Sequence, residues 1–308
     1  MLRIKYGILS VFLIFFVILF LFIFIKIPLK EVVDFITMNN NVSVKKFDAI
    51  PNDKLDDTMS IQNAIDYVAT SGGGTVLFPE GVYIIDAVKS IVIRDNIVLK
   101  FDKGTILKAL PNDKSSYEIV RIHGVKNVSM IGNVVIEGEK EVHTGDKGEW
   151  GFGISIRGSE NIYLENIVVK NCWGDGIYIG STQKNFFNKD ITIKHPILEN
   201  NRRQGISVTS VINLKLINPK ITNTKGTSPE SGIDLEPNEP TERLENVEII
   251  NPFTQHNKGY GILINLKYLL GSKHSVSVTV YDTKNVKDEI RIVKPNYVKG
   301  TVKVIEVY

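Results

Sequence analysis

A short motif, Gly-Ile-x-(Ile/Val/Leu)-x, recurs through the second half of this chain and constrains its fold more than any other feature. It stands at Gly153-Ile154-Ser155-Ile156, Gly176-Ile177-Tyr178-Ile179, Gly205-Ile206-Ser207-Val208, Gly232-Ile233-Asp234-Leu235 and Gly261-Ile262-Leu263-Ile264. The glycines lie 23, 29, 27 and 29 residues apart, inside the spacing of about 20–50 residues that marks a repeat architecture. A second column runs with it: Asn127, Asn161, Asp190, Asn213 and Asn246 each open an alternating apolar segment. Another apolar pair follows each segment, then Asn171, Asn200, Asn223 or Asn257. Alternation with β-branched residues predicts short strands with one face inward, and Asn, Gly and Pro between them predict turns. Three short strands per repeat, with no helix between them, make an all-β solenoid: a parallel β-helix. The four late asparagines are expected to stack as side-chain ladders at turns, and His195 and His256 to be turn residues.

A formal charge of +3 in 308 residues argues against nucleic acid as a partner, since that would call for a concentrated basic face. The single cysteine, Cys172, excludes an intrachain disulfide and a cysteine-based zinc site. Beside Trp173 inside a repeat, it reads as a small packed residue.

Residues 7–25 contain no charge and are almost all Ile, Leu, Phe and Val. As a helix they would cover about 28 Å, enough for a bilayer core. No small-residue cleavage site follows, only Lys26, Ile27, Pro28, Leu29 and Lys30, so residues 1–30 are expected to be an uncleaved single-pass anchor rather than a signal peptide. Charge does not orient it, because Arg3 and Lys5 are balanced by Lys26 and Lys30. Residues 31–46 read as a polar connector holding the domain off the membrane, and residues 47–308 as the β-helix domain.

Asp56 and Asp57 precede Ile61, Ala64, Ile65 and Val68, an amphipathic helical pattern that ends at Ser71-Gly72-Gly73-Gly74. Such a helix can cover the open apolar end of a solenoid. Phe47-Asp48-Ala49-Ile50, Asp56-Asp57-Thr58, Ile61-Gln62-Asn63-Ala64-Ile65 and the stretch from Gly72 through Phe78-Pro79, Gly81 and Tyr83 together resemble the opening of the pectate-lyase-like superfamily, which includes polygalacturonase-type glycosidases and phage tailspike depolymerases. The resemblance implies a single-stranded right-handed parallel β-helix with an N-terminal capping helix. It also implies a polysaccharide or cell-surface glycan as partner and places the domain outside the cytoplasm.

Stacked in register, the x positions of the motif form outward columns about 4.8 Å apart between coils and about 7 Å apart along a strand. One is Ser155, Tyr178, Ser207, Asp234, Leu263; the next is Arg157, Gly180, Thr209, Glu236, Asn265. Asp175, Arg203, Gln204 and Ser231 lie in the turn just before them. Asp175, Asp234, Glu236 and Arg203 are therefore the candidate catalytic residues. Tyr178, Gln204, Ser207 and Arg157 are candidate substrate-binding residues. Glu149, Trp150 and His143 join them from the excursion between Glu137 and Gly151, where the repeat breaks and a loop is free to carry function.

Two carboxylates about 6.5–9.5 Å apart suit inverting glycoside hydrolysis, and both Asp234 with Glu236 and Asp175 with Asp234 approach that spacing. Trp173-Gly174-Asp175-Gly176-Ile177 resembles the Asn-Thr-Asp-Gly coil of polygalacturonases, which implies a catalytic role for Asp175. That family's next coil brings an Asp-Asp pair where this chain has Arg202-Arg203-Gln204-Gly205, and its Gly-His-Gly and Arg-Ile-Lys segments are missing. Uronate elimination or C5 epimerisation is the second reading, with Arg203 as cation or base and Tyr178 or His143 as acid or base. No cofactor is expected for hydrolysis; calcium on Asp175, Asp234 and Glu236 would accompany elimination. A noncatalytic glycan-binding or structural solenoid is the third.

Overall fold

The structure, a computed structural model, describes residues 40–306. The expected anchor over residues 7–25 lies outside the described residues. Among the described residues no helix is long and apolar enough to cross a membrane.

Neighbouring strands come from successive coils and run parallel. Ile177–Gly180 pairs with Trp150–Arg157 before it and with Gln204–Val208 after it. Each coil contributes three strands: Glu160–Glu165, Ile167–Lys170 and Ile177–Gly180 in one, then Asn188–Lys194, Ile197–Glu199 and Gln204–Val208 in the next. The third face is a separate 8-stranded sheet, whereas the first two form one 15-stranded sheet. They are joined because Ile97–Ala109 and Lys126–Glu137 run unbroken around the corner. Gly132 makes that bend possible: its φ is +105°, and a Cβ there would lie 2.2 Å from the carbonyl oxygen of Phe101.

The recurring motif now has a physical basis. Ile154, Ile177, Ile206, Ile233 and Ile262 are direct register partners down the third face, each with no exposure. Full burial of each contributes about 1.5–3 kcal/mol. The glycine before each isoleucine also points inward, against the opposite wall. At Gly205 a Cβ would sit 2.4 Å from Ile221 Cγ2 and 2.5 Å from the Gly232 carbonyl oxygen. Two consecutive inward positions turn the preceding residue outward, which sets the position of Asp175 and its equivalents.

Turns are closed by polar residues in the left-handed region, which Asn, Asp and His tolerate better than other side chains. Asn96, Asn127, Asn161, Asp190, Asn213 and Asn246 all have φ between 52° and 60°. Their side chains bond coil to coil, as in Asn127 to Asn96 at 2.7 Å and Asn246 to Asn213 at 2.9 Å. The expected ladder through Asn171, Asn200, Asn223 and Asn257 is only partly formed. Asn200 donates to Asn171 at 2.8 Å, but the left-handed position of the last coil is His256, φ 61°. Asn257 lies one residue further, buried, and its Oδ1 accepts from the Thr224 amide at 3.0 Å. His195 and His256 are turn residues as expected.

The lid helix spans Thr58–Thr70, with Ile61, Ala64, Ile65 and Val68 all at zero exposure in the core. The two aspartates at its head divide the work. Asp56 accepts from the Thr58 amide at 2.9 Å, whereas Asp57 accepts from the amides of Ile50 and Ile84 and ties the lid to the first coil. The fold also reaches into the stretch read as connector. Asn41–Ser43 pairs with Gly74–Phe78, and Val42 and Val44 are buried, so residues 41–46 belong to the domain. Cys172 is 1% exposed, and burial pushes its thiol up.

Candidate functional site

The third face delivers the two predicted columns. Arg121, Ser155, Tyr178, Ser207, Asp234 and Leu263 are successive register partners. His123, Arg157 and Gly180 head the second column. Further along it, Asn265 Nδ2 donates to Glu236 Oε1 at 2.6 Å.

Five predicted residues converge at the centre: Asp175, Arg203, Glu149, Gln204 and Asp234. Asp175 is fully buried, and Arg203 Nη1 lies 3.1 Å from its Oδ1 and 2.9 Å from its Oδ2. Glu149 Oε1 stands 3.6 Å from Arg203 Nε. Burial raises the Asp175 carboxyl, opposed by the Arg203 charge. Asp234, at 2% exposure, accepts from Gln204 Nε2 through Oδ2, while its Oδ1 has no partner. Burial first, and then the negative charge of Glu236, raise Asp234 well above the usual carboxylate range. Gln204 is wholly buried and also accepts from the Ser231 amide at 2.9 Å, so it orients Asp234 from below.

A cavity of about 320 Å³ opens over this centre, and Trp150, Phe152, Arg157, Tyr178, Asp234 and Glu236 are among its walls. Phe152 and Tyr178 stack at 4.9 Å, with the Arg157 guanidinium 4.3 Å over the tyrosine ring. Trp150 is 46% exposed at the lip. Arg157 and Ser116 also line a second cavity of about 760 Å³, which adjoins the first, with Glu118, Arg121 and His123 on one side and Thr182, Phe186 and Thr241 on the other.

Those three residues, with Phe152, were missed in the sequence. Ser116–His123 is a coil strand without the Gly-Ile start, although Val120-Arg121-Ile122-His123 carries the same in-out alternation and was the available signal. His123 Nε2 is 2.9 Å from Ser155 Oγ, and burial lowers its pKa to about 4. Arg121 Nη2 is paired with Glu118 at 2.6 Å.

His143 is not in the groove. Its side chain is sealed from solvent, 3.1 Å from Glu139 Oε2 and stacked on Trp173 at 3.9 Å, with Arg202 3.7 Å over the same indole. Tyr117 hydroxyl bonds Glu139 as well. Burial raises Glu139 to about 7 and lowers His143. The cluster pins the base of the excursion whose far end carries Glu149 and Trp150. Asp175's oxygens face Arg203, and among the described residues no three His, Cys, Asp or Glu side chains are grouped as metal ligands.

Residues 79–268 match the family model described as right handed beta helix region. Residues 41–114 match one described as rhamnogalacturonase A/epimerase, pectate lyase-like. The uncharacterized protein YclG of Bacillus subtilis is 29% identical over 214 residues, which cover 61% of this chain and 36% of YclG. The chain thus spans about a third of that relative's length. Solved structures share the fold. A putative glycosyl hydrolase from Parabacteroides merdae matches with a TM-score of 0.55 and 19% identity, over 71% of this chain and 98% of that one. Tailspike gp49 of the Acinetobacter baumannii bacteriophage Fri1, a capsular polysaccharide depolymerase, matches with a TM-score of 0.55 and 15% identity, over 87% of this chain and 50% of that one.

Proposed function

The chain belongs to the right-handed β-helix family, and from that premise and the groove on its third face we propose that it binds a polysaccharide and cleaves it by hydrolysis. The observation that carries the reading is Asp234: a carboxyl 2% exposed at the cavity wall, with one oxygen held by Gln204, the other unpartnered, and its pKa raised well above the usual range. A carboxyl whose proton is held more tightly than usual is what a general acid requires.

Glu236 follows two positions along the same outward face, about 7 Å away on an extended strand. An inverting hydrolase holds its two carboxyl groups about 6.5–9.5 Å apart to leave room for a water, a separation open to two side chains so spaced along one face. Asp234 gives its proton to the glycosidic oxygen as the bond to the anomeric carbon breaks. Glu236 takes a proton from the water that adds to that carbon on the opposite face. Arg203, held by Asp175, offers its remaining N–H groups to sugar oxygens, and Trp150 and Tyr178 supply aromatic faces. Asp175, for which the family resemblance implied direct catalysis, is on this reading a positioning residue.

The test is incubation with a panel of neutral and uronic-acid polysaccharides, following reducing ends and ultraviolet absorbance together. The pectate-lyase-like match over residues 41–114 supports including uronates. New reducing ends without absorbance are expected. An absorbing unsaturated product would replace hydrolysis with elimination, and bound glycan with no product would leave a binding module.

A further inference from the structure

The lid end of the solenoid carries an apolar surface that the groove does not use. Ile61, Ala64, Ile65 and Val68 face the core, which leaves Met59, Asn63 and Tyr67, spaced four apart, on the opposite side of the helix. Met59 is 53% and Tyr67 52% exposed, and Leu55, in the loop ahead of the helix, is 68% exposed. Ile50, 55% exposed, is tied by its amide to Asp57 at the helix head. The Tyr67 ring packs 5.5 Å from Phe47, at the end of a short helical turn that presents Lys45 and Lys46. Lys54 stands next to Leu55; Asp48 and Asp53 are the acidic neighbours, while Asp56 and Asp66 are paired with Lys89 and Arg94. Single exposed apolar residues are ordinary, but four large ones grouped on one end of a domain mark a contact surface.

The chain enters the domain at this same end. Asn40 donates to the Gly73 carbonyl at 3.1 Å and accepts from the Thr75 amide at 2.9 Å, just past the helix C-terminus. Residues 26–39 separate it from the uncharged apolar run of residues 7–25, a reach of at most about 50 Å when fully extended. We propose that the lid rests on the bilayer, with Ile50, Leu55 and Met59 in the headgroup–acyl boundary, Tyr67 at headgroup level, and Lys45, Lys46 and Lys54 over anionic headgroups. This rests on the reading of residues 7–25 as an anchor and replaces the connector's role as a spacer. The solenoid then stands on the membrane by its end. Five coil steps of about 4.8 Å raise the coil of Asp234 roughly 24 Å above the first one.

The test uses the full chain in vesicles carrying a lipid-borne quencher at a shallow acyl position, with a fluorophore on Met59→Cys or, as a control at the far end, on Tyr297→Cys. Cys172 is buried and contributes little label. Vesicles with phosphatidylglycerol are expected to quench the first site and not the second. Each of Lys45→Gln and Lys46→Gln should lower the docked-to-undocked ratio about fivefold. A chain that floats with vesicles while Met59→Cys is quenched no more than Tyr297→Cys overturns the docking and leaves the anchor. A chain that does not float overturns both, and neither outcome touches the glycan-cleavage reading.

Discussion

Arg203 reaches across one coil step to Asp175, its Nη1 2.9 Å from Oδ2 and 3.1 Å from Oδ1 of a carboxylate with no solvent exposure. The pair joins two adjacent coils at the floor of the groove. Removing either partner strands the other charge, whereas removing both leaves space that apolar side chains can fill.

Asp175→Asn should therefore cost about 2–3 kcal/mol of stability, below the range for a wholly sealed pair because Arg203 keeps some contact with water and Glu149. The double variant Asp175→Leu, Arg203→Met should recover much of that loss. Urea unfolding of the single and double variants measures both. A double variant less stable than Asp175→Asn by a further, additive loss would mean that the two residues do not act as a pair.

The Glu139–His143 cluster predicts a pH dependence. Burial raises Glu139 from 4.5 to about 7, so its contribution is fully present below pH 4.5 and is lost as pH rises through 7. His143, lowered by burial, works in the other direction below its unfolded value. Thermal melts of the native chain and Glu139→Gln isolate the glutamate: the native melting temperature should fall relative to the variant between pH 5 and 7.5, by an amount on the order of 2–3 kcal/mol in stability. A constant difference across that window would show that Glu139 does not titrate there.

The glycine column can be tested through a single methyl group. Gly205→Ala places a Cβ 2.4 Å from Ile221 Cγ2 and 2.5 Å from a backbone oxygen, with a cost of about 2–3 kcal/mol from overpacking. Gly205 has no positive φ that alanine would strain, so the loss reads the steric contact alone. Unchanged chemical denaturation would mean that the opposite wall gives way.

The coils were legible because one physical requirement recurs in each: an inward glycine, an inward isoleucine and a left-handed turn residue. That fixed the columns of Tyr178, Ser207 and Asp234, and hence the face on which the groove lies. Three features were not legible. Glu118, Arg121 and His123 sit on a strand without the glycine start. Asn257 left the ladder expected of it, because a one-residue shift in a connector moves its amide from the ladder to the interior. His143, polar and in a polar loop, is sealed by stacking on Trp173, a contact between residues 30 apart that no periodicity encodes.

The most direct test of the account is Asp234→Asn, with turnover of a cleaved glycan and binding of that glycan measured on the same preparation. The neutral amide keeps the volume and avoids the cost of burying a charge, so the variant should fold and bind as the native chain does, while turnover falls about 10²–10⁴-fold with the loss of the acid. Native turnover in Asp234→Asn would contradict the account, since cleavage would then proceed without the proton that Asp234 is held to supply.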